Sequence, residues 1–140
     1  MTATFSLPPA AVQLQTQLRS QANWQDMYRT LLLAAKHQPA LATKFHTRDY
    51  QVEGCEAQVW LKAAHSATAV EFQFASSSRM IYALTYAALL PLQGQPRATA
   101  YHFNIERWLQ ECNLVKHLAP SRSNGLYQII RTARASLEIE

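Results

Sequence analysis

Residues 59–90 read VWLKAAHSATAVEFQFASSSRMIYALTYAALL, and their periodicity changes twice. Val59, Leu61 and Ala63 alternate with Gln58, Trp60 and Lys62, the period-two pattern of a strand that buries one face. His65-Ser66-Ala67-Thr68 supplies a polar turn, after which Val70, Phe72 and Phe74 alternate with Glu71 and Gln73. This predicts an antiparallel hairpin. Ser76-Ser77-Ser78 then stands where a helix N-cap belongs. Residues 79–90 carry Met80, Ile81, Leu84, Ala87, Ala88 and Leu89 with hardly a charge, and a helix apolar nearly all round belongs inside a domain. Two strands alone are marginal in water, so the hairpin must lay its apolar face on helices.

The flanking sequence supplies those helices. Pro8 and Pro9 close an irregular tail over residues 1–9, and a first helix is predicted over 10–20. Asn23 is placed to cap a second, in which Trp24, Met27, Tyr28, Leu31, Leu32 and Ala35 share one face until Pro39 stops it. Tyr50-Gln51-Val52-Glu53 reads as a short strand ahead of the hairpin. Downstream, Pro91, Gly94 and Pro96 end the central helix. Asn104 caps the next, with Ile105, Trp108, Leu109 and Cys112 on one side. After Pro120, Ser121 or Ser123 starts a last helix with Leu126, Ile129, Ile130, Ala133 and Leu137 inward and Arg131 and Arg134 in water. Two helices, a small antiparallel sheet and three helices make an α+β domain, single over residues 1–140, with no repeat or internal boundary.

Bulk composition narrows the class. With 49% apolar and 16% charged residues among 140, the chain can build a core and is not of disordered type. No stretch approaches the roughly 20 apolar residues of a membrane helix. Met1-Thr2-Ala3-Thr4-Phe5 has no basic region followed by an apolar core, so a cytoplasmic setting is expected, with Cys55 and Cys112 reduced. The net charge of +4 raises nucleic acid as a partner, but the thirteen Lys and Arg are scattered and no basic run is interleaved with aromatics. Nucleic acid ranks last, and no membrane partner is expected.

The two cysteines differ in setting. Cys112 continues the Ile105–Trp108–Leu109 stripe and should be buried and inert. Cys55 follows Gly54 in Val52-Glu53-Gly54-Cys55-Glu56, where the glycine allows a sharp loop and the glutamates keep the segment in water. An exposed thiol on a loop tip can enter another enzyme's active site. Filling a gap at a strand end is an equally open reading of the spacing. Nearby carboxylates disfavour the thiolate, so a reacting Cys55 would need activation from a partner, which suits a carrier better than a hydrolase.

Gly54-Cys55-Glu56-Ala57-Gln58-Val59-Trp60 resembles the G-C-x-[SN]-x-V-W signature of the SufE-like sulfur acceptor family. Asn23-Trp24-Gln25-Asp26-Met27-Tyr28 resembles that family's W-[EQ]-[DE]-[KR]-Y opening of the second helix. Arg107-Trp108-Leu109 falls where the family carries the helix after its central one. Leu118-Ala119-Pro120-Ser121-Arg122-Ser123-Asn124-Gly125-Leu126 is close to its L-[ST]-x-S-R-x-[NQ]-G-L run. The four stretches occur in order over about residues 20–135.

The resemblance implies the α+β fold shared with IscU-type scaffolds. It implies that Cys55 accepts persulfide sulfur from a cysteine desulfurase (SufS/CsdA-like), stimulates that enzyme, and passes sulfur to an iron–sulfur scaffold or another recipient. Pyridoxal phosphate would belong to the partner, with no cofactor on this chain beyond a transient cysteine persulfide. Gly54, Glu56 and Arg122 are the supporting or interface residues, Arg122 steadying the loop, meeting the partner or simply opening a helix. Oligomeric state stays open between a monomer and a weak homodimer.

Two departures accompany the likeness. Where the family has an acidic G-D-S-[DE] turn and an R-G-L triplet, this chain reads Phe74-Ala75-Ser76-Ser77-Ser78-Arg79 and Tyr82-Ala83-Leu84. Ala57 stands where the family has Ser or Asn, and both changes bear on partner choice.

A cluster scaffold would need several cysteine ligands, and only Cys55 is well placed. His37, His46, His65, His102 and His117 show no zinc spacing, and none is marked out as a base for Cys55. The main rival is an adaptor that docks on a desulfurase and regulates it without carrying sulfur.

Overall fold

The computed structural model describes residues 6–66 and 68–138. Helices α1 (Pro9–Arg19) and α2 (Trp24–Ala35) precede strands β1 (Val59–His65) and β2 (Val70–Ser76). Four helices follow: α3 (Arg79–Leu89), α4 (Arg97–His102), α5 (Ile105–Glu111) and α6 (Pro120–Ser136). The class is α+β as expected, with one helix more than the periodicity predicts. Helix α4 is only six residues long and begins after Pro96, too short to show a repeating apolar face.

Helix starts follow local chemistry. The Asp26 N–H donates to Asn23 Oδ1 at 2.9 Å, the Ile81 N–H to Ser78 Oγ at 3.2 Å, and the Arg107 N–H to Asn104 Oδ1 at 3.0 Å. Each cap satisfies a donor that the first turn would otherwise leave free. Helix α6 starts differently. Ala119 takes the cap position without a side-chain bond and Pro120 is the first helical residue, so neither Ser121 nor Ser123 caps it. Proline suits that place because its fixed φ is already helical and it has no N–H to satisfy. The same holds for Pro9, which opens α1 instead of closing the predicted tail. The rest of that tail at residues 1–5, and Ala67 of the predicted turn, lie outside the described residues.

The hairpin pairs antiparallel from Val59↔Ser76 to His65↔Val70. Its inward side chains Val59, Leu61, Val70, Phe72 and Phe74 are buried. Residues 50–53 do not form the predicted third strand. Arg48–Tyr50 is a 3-10 turn and only Gln51 bridges to Trp60 before the chain bends at Gly54.

Helix α3 is the spine, packed against α2, β2, α5 and α6. Ala83, Leu84, Ala87, Ala88 and Leu89 are wholly buried, which explains why it lacks a polar face. Each fully buried leucine or phenylalanine of this core contributes roughly 1.5–3 kcal/mol. The Trp108 indole N–H donates to the Ala87 carbonyl at 2.9 Å and locks α5 onto the spine. Arg134, predicted to stay in water, is half-buried and donates to both carboxylate oxygens of Glu106 at 2.7 Å. This pair ties α6 to α5 and holds the Glu106 carboxyl below its usual range, chiefly through the Arg134 hydrogen bonds.

Candidate functional site around Cys55

The Cys55 loop has a fixed base and a lightly held tip. It leaves the sheet at Val52 and returns at Val59, where the Val52 N–H donates to the Val59 carbonyl at 2.8 Å. At the returning end, Gln58 is held three times by the serine segment. Its carbonyl accepts from Ser76 Oγ at 2.8 Å and from the Ser77 N–H at 3.0 Å, and its N–H donates to Ser77 Oγ at 3.0 Å. Gly54 turns the chain with φ 85°, and an added Cβ would approach the Gln128 side chain to 3.2 Å.

The tip leans on α6 instead of projecting into water. Cys55 Sγ points at the Gly125 carbonyl at 3.4 Å, and Asn124 Nδ2 donates to the Gly54 carbonyl at 3.4 Å. The Asn124 contact is long and a thiol is a weak donor, so neither is a strong hydrogen bond. Cys55 is half-buried, against the expectation of an exposed tip. Glu53, Gly54 and Glu56 are exposed, so the glutamates do keep the loop at the surface. The sulfur itself turns towards a hollow beside α6, which no local pattern signals.

That hollow is a cavity of about 380 Å³ that brings Cys55, Glu56 and Arg122 together, with Ser78, Ile81 and Gly125 among the other residues of its wall. Gly54 shapes the loop but does not line the cavity. Gly125 matters for its lack of a side chain: a Cβ there would already sit 3.9 Å from Cys55 Sγ and from Ile81 Cδ1, and anything longer would fill the space. The first turns of α3 and α6 both contribute to the lining, through Ser78 and Ile81 and through Ser121 and Arg122.

Burial pushes the Cys55 thiol up from its ordinary value, and no neighbouring charge contributes to that shift. The direction is the one read from the sequence, but the cause is desolvation and not the flanking carboxylates. Arg122 is exposed and makes no side-chain hydrogen bond or ion pair among the described residues. The bonds that reach the loop from α6 come from Asn124 and Gly125, so Arg122 does not steady it.

Cys112 is the opposite case, fully buried at the C-terminal end of α5 as predicted. Its thiol is pushed up to about 12, first by burial, then by the Glu111 charge, with Arg19 opposing.

Among the described residues no group of three or more His, Cys, Asp or Glu could hold a metal ion, and no histidine lines the Cys55 cavity. His46 stacks on Trp60 at 4.4 Å and His117 on Trp24 at 5.3 Å, both acting as packing groups. No helix among the described residues is long and apolar enough to cross a membrane.

Sequence reasoning missed Asn124, Gly125 and Gln128 as the surface that receives the loop. The Asn124-Gly125 pair stood inside the C-terminal run that carried the family likeness, but nothing marked Gln128.

Comparison with known proteins agrees with this architecture. A solution structure of a hypothetical protein from Thermus thermophilus superposes with a TM-score of 0.74 at 16% identity, covering 94% of this chain and 96% of that one. At that identity the likeness establishes the fold. The model of the SufE family, described as an Fe-S metabolism associated domain, matches residues 12–137. That span takes in both cysteines, the hairpin and all of the central helix, and the chain therefore belongs to the SufE family of proteins of Fe–S metabolism.

Proposed function

We propose that this protein accepts sulfur on Cys55 from a pyridoxal-phosphate cysteine desulfurase, stimulates that enzyme, and hands the sulfur on to iron–sulfur cluster assembly. The observation that carries the reading is the placement of Cys55. It is the accessible one of two thiols, on a loop with a rigid base and a weakly latched tip, facing a cavity with room for a second sulfur atom.

The step is thiol exchange. Cys55 Sγ attacks the outer sulfur of the desulfurase's cysteine persulfide, and the bond between that sulfur and the enzyme's own cysteine breaks. The electron pair leaves on the enzyme's sulfur, which takes up the proton given up by Cys55. One persulfide and one thiol become another persulfide and another thiol, with no net oxidation.

The raised pKa fits a carrier. A thiol that stays protonated on its own does not react indiscriminately, and it becomes a nucleophile when a partner's pocket removes it from the cavity. At the tip such a partner must break the contacts with Asn124 and Gly125 and draw Cys55 off the edge of the core.

Mass spectrometry tests the reading. Incubated with a cysteine desulfurase and cysteine, the protein should gain mass in steps of about 32 Da that map to Cys55 and vanish with a reductant. Stimulation of the desulfurase without any added sulfur, and equal stimulation by Cys55→Ser, would instead identify an adaptor.

A further inference from the structure

A second feature lies on the other side of the serine segment that anchors the Cys55 loop. Helix α2 and the start of α3 enclose a groove of about 570 Å³ whose lining includes Arg29, Leu32, Leu33, Lys36, Arg79 and Tyr82. No carboxylate among the described residues lines it. Arg29, Lys36 and Arg79 are all exposed, and none makes a side-chain hydrogen bond or an ion pair among the described residues. The acidic residue of α2, Asp26, lies one turn before Arg29 but does not pair with it, its carboxylate accepting from the Asn23 side chain at 3.1 Å. Beside these cations Leu33 is 55% exposed, one of few large apolar side chains so placed among the described residues. The two arginines and the lysine therefore carry unpaired charge beside an exposed apolar side chain.

The groove and the cysteine are mechanically joined. Ser76 lines the groove and donates to the Gln58 carbonyl at the foot of the Cys55 loop. Two residues on, Ser78 lines the Cys55 cavity, and Arg79 returns to the groove. A partner seated in the groove would lie directly beside the loop it must open.

We propose that this groove is the docking seat for an acidic, amphipathic segment of the sulfur-donating enzyme, its carboxylates meeting Arg29, Lys36 and Arg79 and an apolar side chain covering Leu33. The inference rests on the sulfur-acceptor reading of Cys55. Opposite charges across the contact steer encounter and fix register, and the exposed leucine supplies the apolar anchor that charge alone lacks. Because the cations are solvent-exposed, the attraction is screened by salt and should fade as ionic strength rises.

The test separates docking from sulfur chemistry. Binding of the purified cysteine desulfurases of the source organism is measured by calorimetry at about 50 and 300 mM salt, where screening changes most. The full chain carries Cys55→Ser so that no sulfur moves, and circular dichroism checks every variant's fold. Arg29→Glu combined with Lys36→Glu should weaken binding at least about tenfold at low salt, and Arg79→Glu and Leu33→Ser severalfold each. Arg131→Glu, an exposed charge on α6 outside both the groove and the Cys55 cavity, should change it less than about twofold. Binding by the groove variants equal to that of the parent overturns the proposal, as does a parent affinity indifferent to salt. Failure of every desulfurase to bind overturns it too. So does a dimer of this chain, seen by analytical ultracentrifugation, that the same variants dissociate, because the groove would then be covered by a second copy. Mass spectrometry with Cys55 restored keeps the two ideas apart. Sulfur on Cys55 with unaffected groove variants sinks the docking seat alone, whereas no sulfur on the parent sinks the function on which it rests.

Discussion

Cys55 and Cys112 are the same side chain in two settings, and the contrast separates a thiol that a reagent can reach from one that it cannot. Burial raises both pKa values, so neither is a self-activated nucleophile. Cys112 is enclosed by the core and can meet a reagent only if α5 comes away from the spine. Cys55 is closed in by two weak contacts at the tip of a loop whose base is tied elsewhere. The cost of exposing one is the cost of unfolding a helix; the cost of exposing the other is that of breaking two weak hydrogen bonds and lifting a half-buried side chain off the edge of the core. Access, more than acidity, separates them.

The sharpest way to break the contrast is to remove each sulfur in turn. Cys55→Ser should abolish sulfur acceptance and desulfurase stimulation while leaving the melting temperature nearly unchanged. Cys112→Ser should retain full transfer and lose about 1–2 kcal/mol of stability, because a hydroxyl replaces a core thiol. Loss of transfer in a folded Cys112→Ser protein would reverse the assignment. In the native protein, alkylation should mark Cys55 faster than Cys112 by roughly two orders of magnitude or more, converging only in denaturant.

Alkaline titration sharpens the comparison next. Above the ordinary thiol value of 9.0 the unfolded chain releases protons that the folded protein keeps on both cysteines. Stability is therefore fully present below that pH and falls as pH rises, for Cys112 until about 12. The slope from Cys112 is at most about 1.4 kcal/mol per pH unit, and it should disappear in Cys112→Ala when urea midpoints are compared across that window.

Smaller effects probe the loop. Gly54→Ala forces an L-residue into positive φ and presses on the Gln128 side chain, and should cost about 1 kcal/mol. Asn124→Ala removes one latch from the tip, so Cys55 alkylation should quicken severalfold with less than about 1 kcal/mol lost in global stability. An unchanged rate would mean that the tip opens by some route that does not involve α6.

How far the sequence could be read depended on the range of the signal. The hairpin, the apolar spine and three N-caps were legible because their cues lie within four residues of one another, at Val59-Leu61-Ala63, Asn23, Ser78 and Asn104. Helix α4 and the missing third strand were not, since six residues carry no periodicity and the bridge at Gln51 depends on where the Gly54 turn sends the chain. Arg134 looked like a solvent residue until α5 placed Glu106 against it.

The site divides along the same line. By itself the sequence determined that this chain folds as a small hairpin on a helical core, that Cys112 lies in that core, and that Cys55 is on a glycine turn between acidic neighbours. Those are matters of short-range pattern and composition. Only the tertiary structure decided that Cys55 turns inward onto Gly125, that the first turns of α3 and α6 build its cavity, and that Arg29, Lys36 and Arg79 share one groove beside it. The reason is distance along the chain. Cys55 and Gly125 are 70 residues apart, and a contact across that span exists only once the packing of the helices has fixed which surfaces meet.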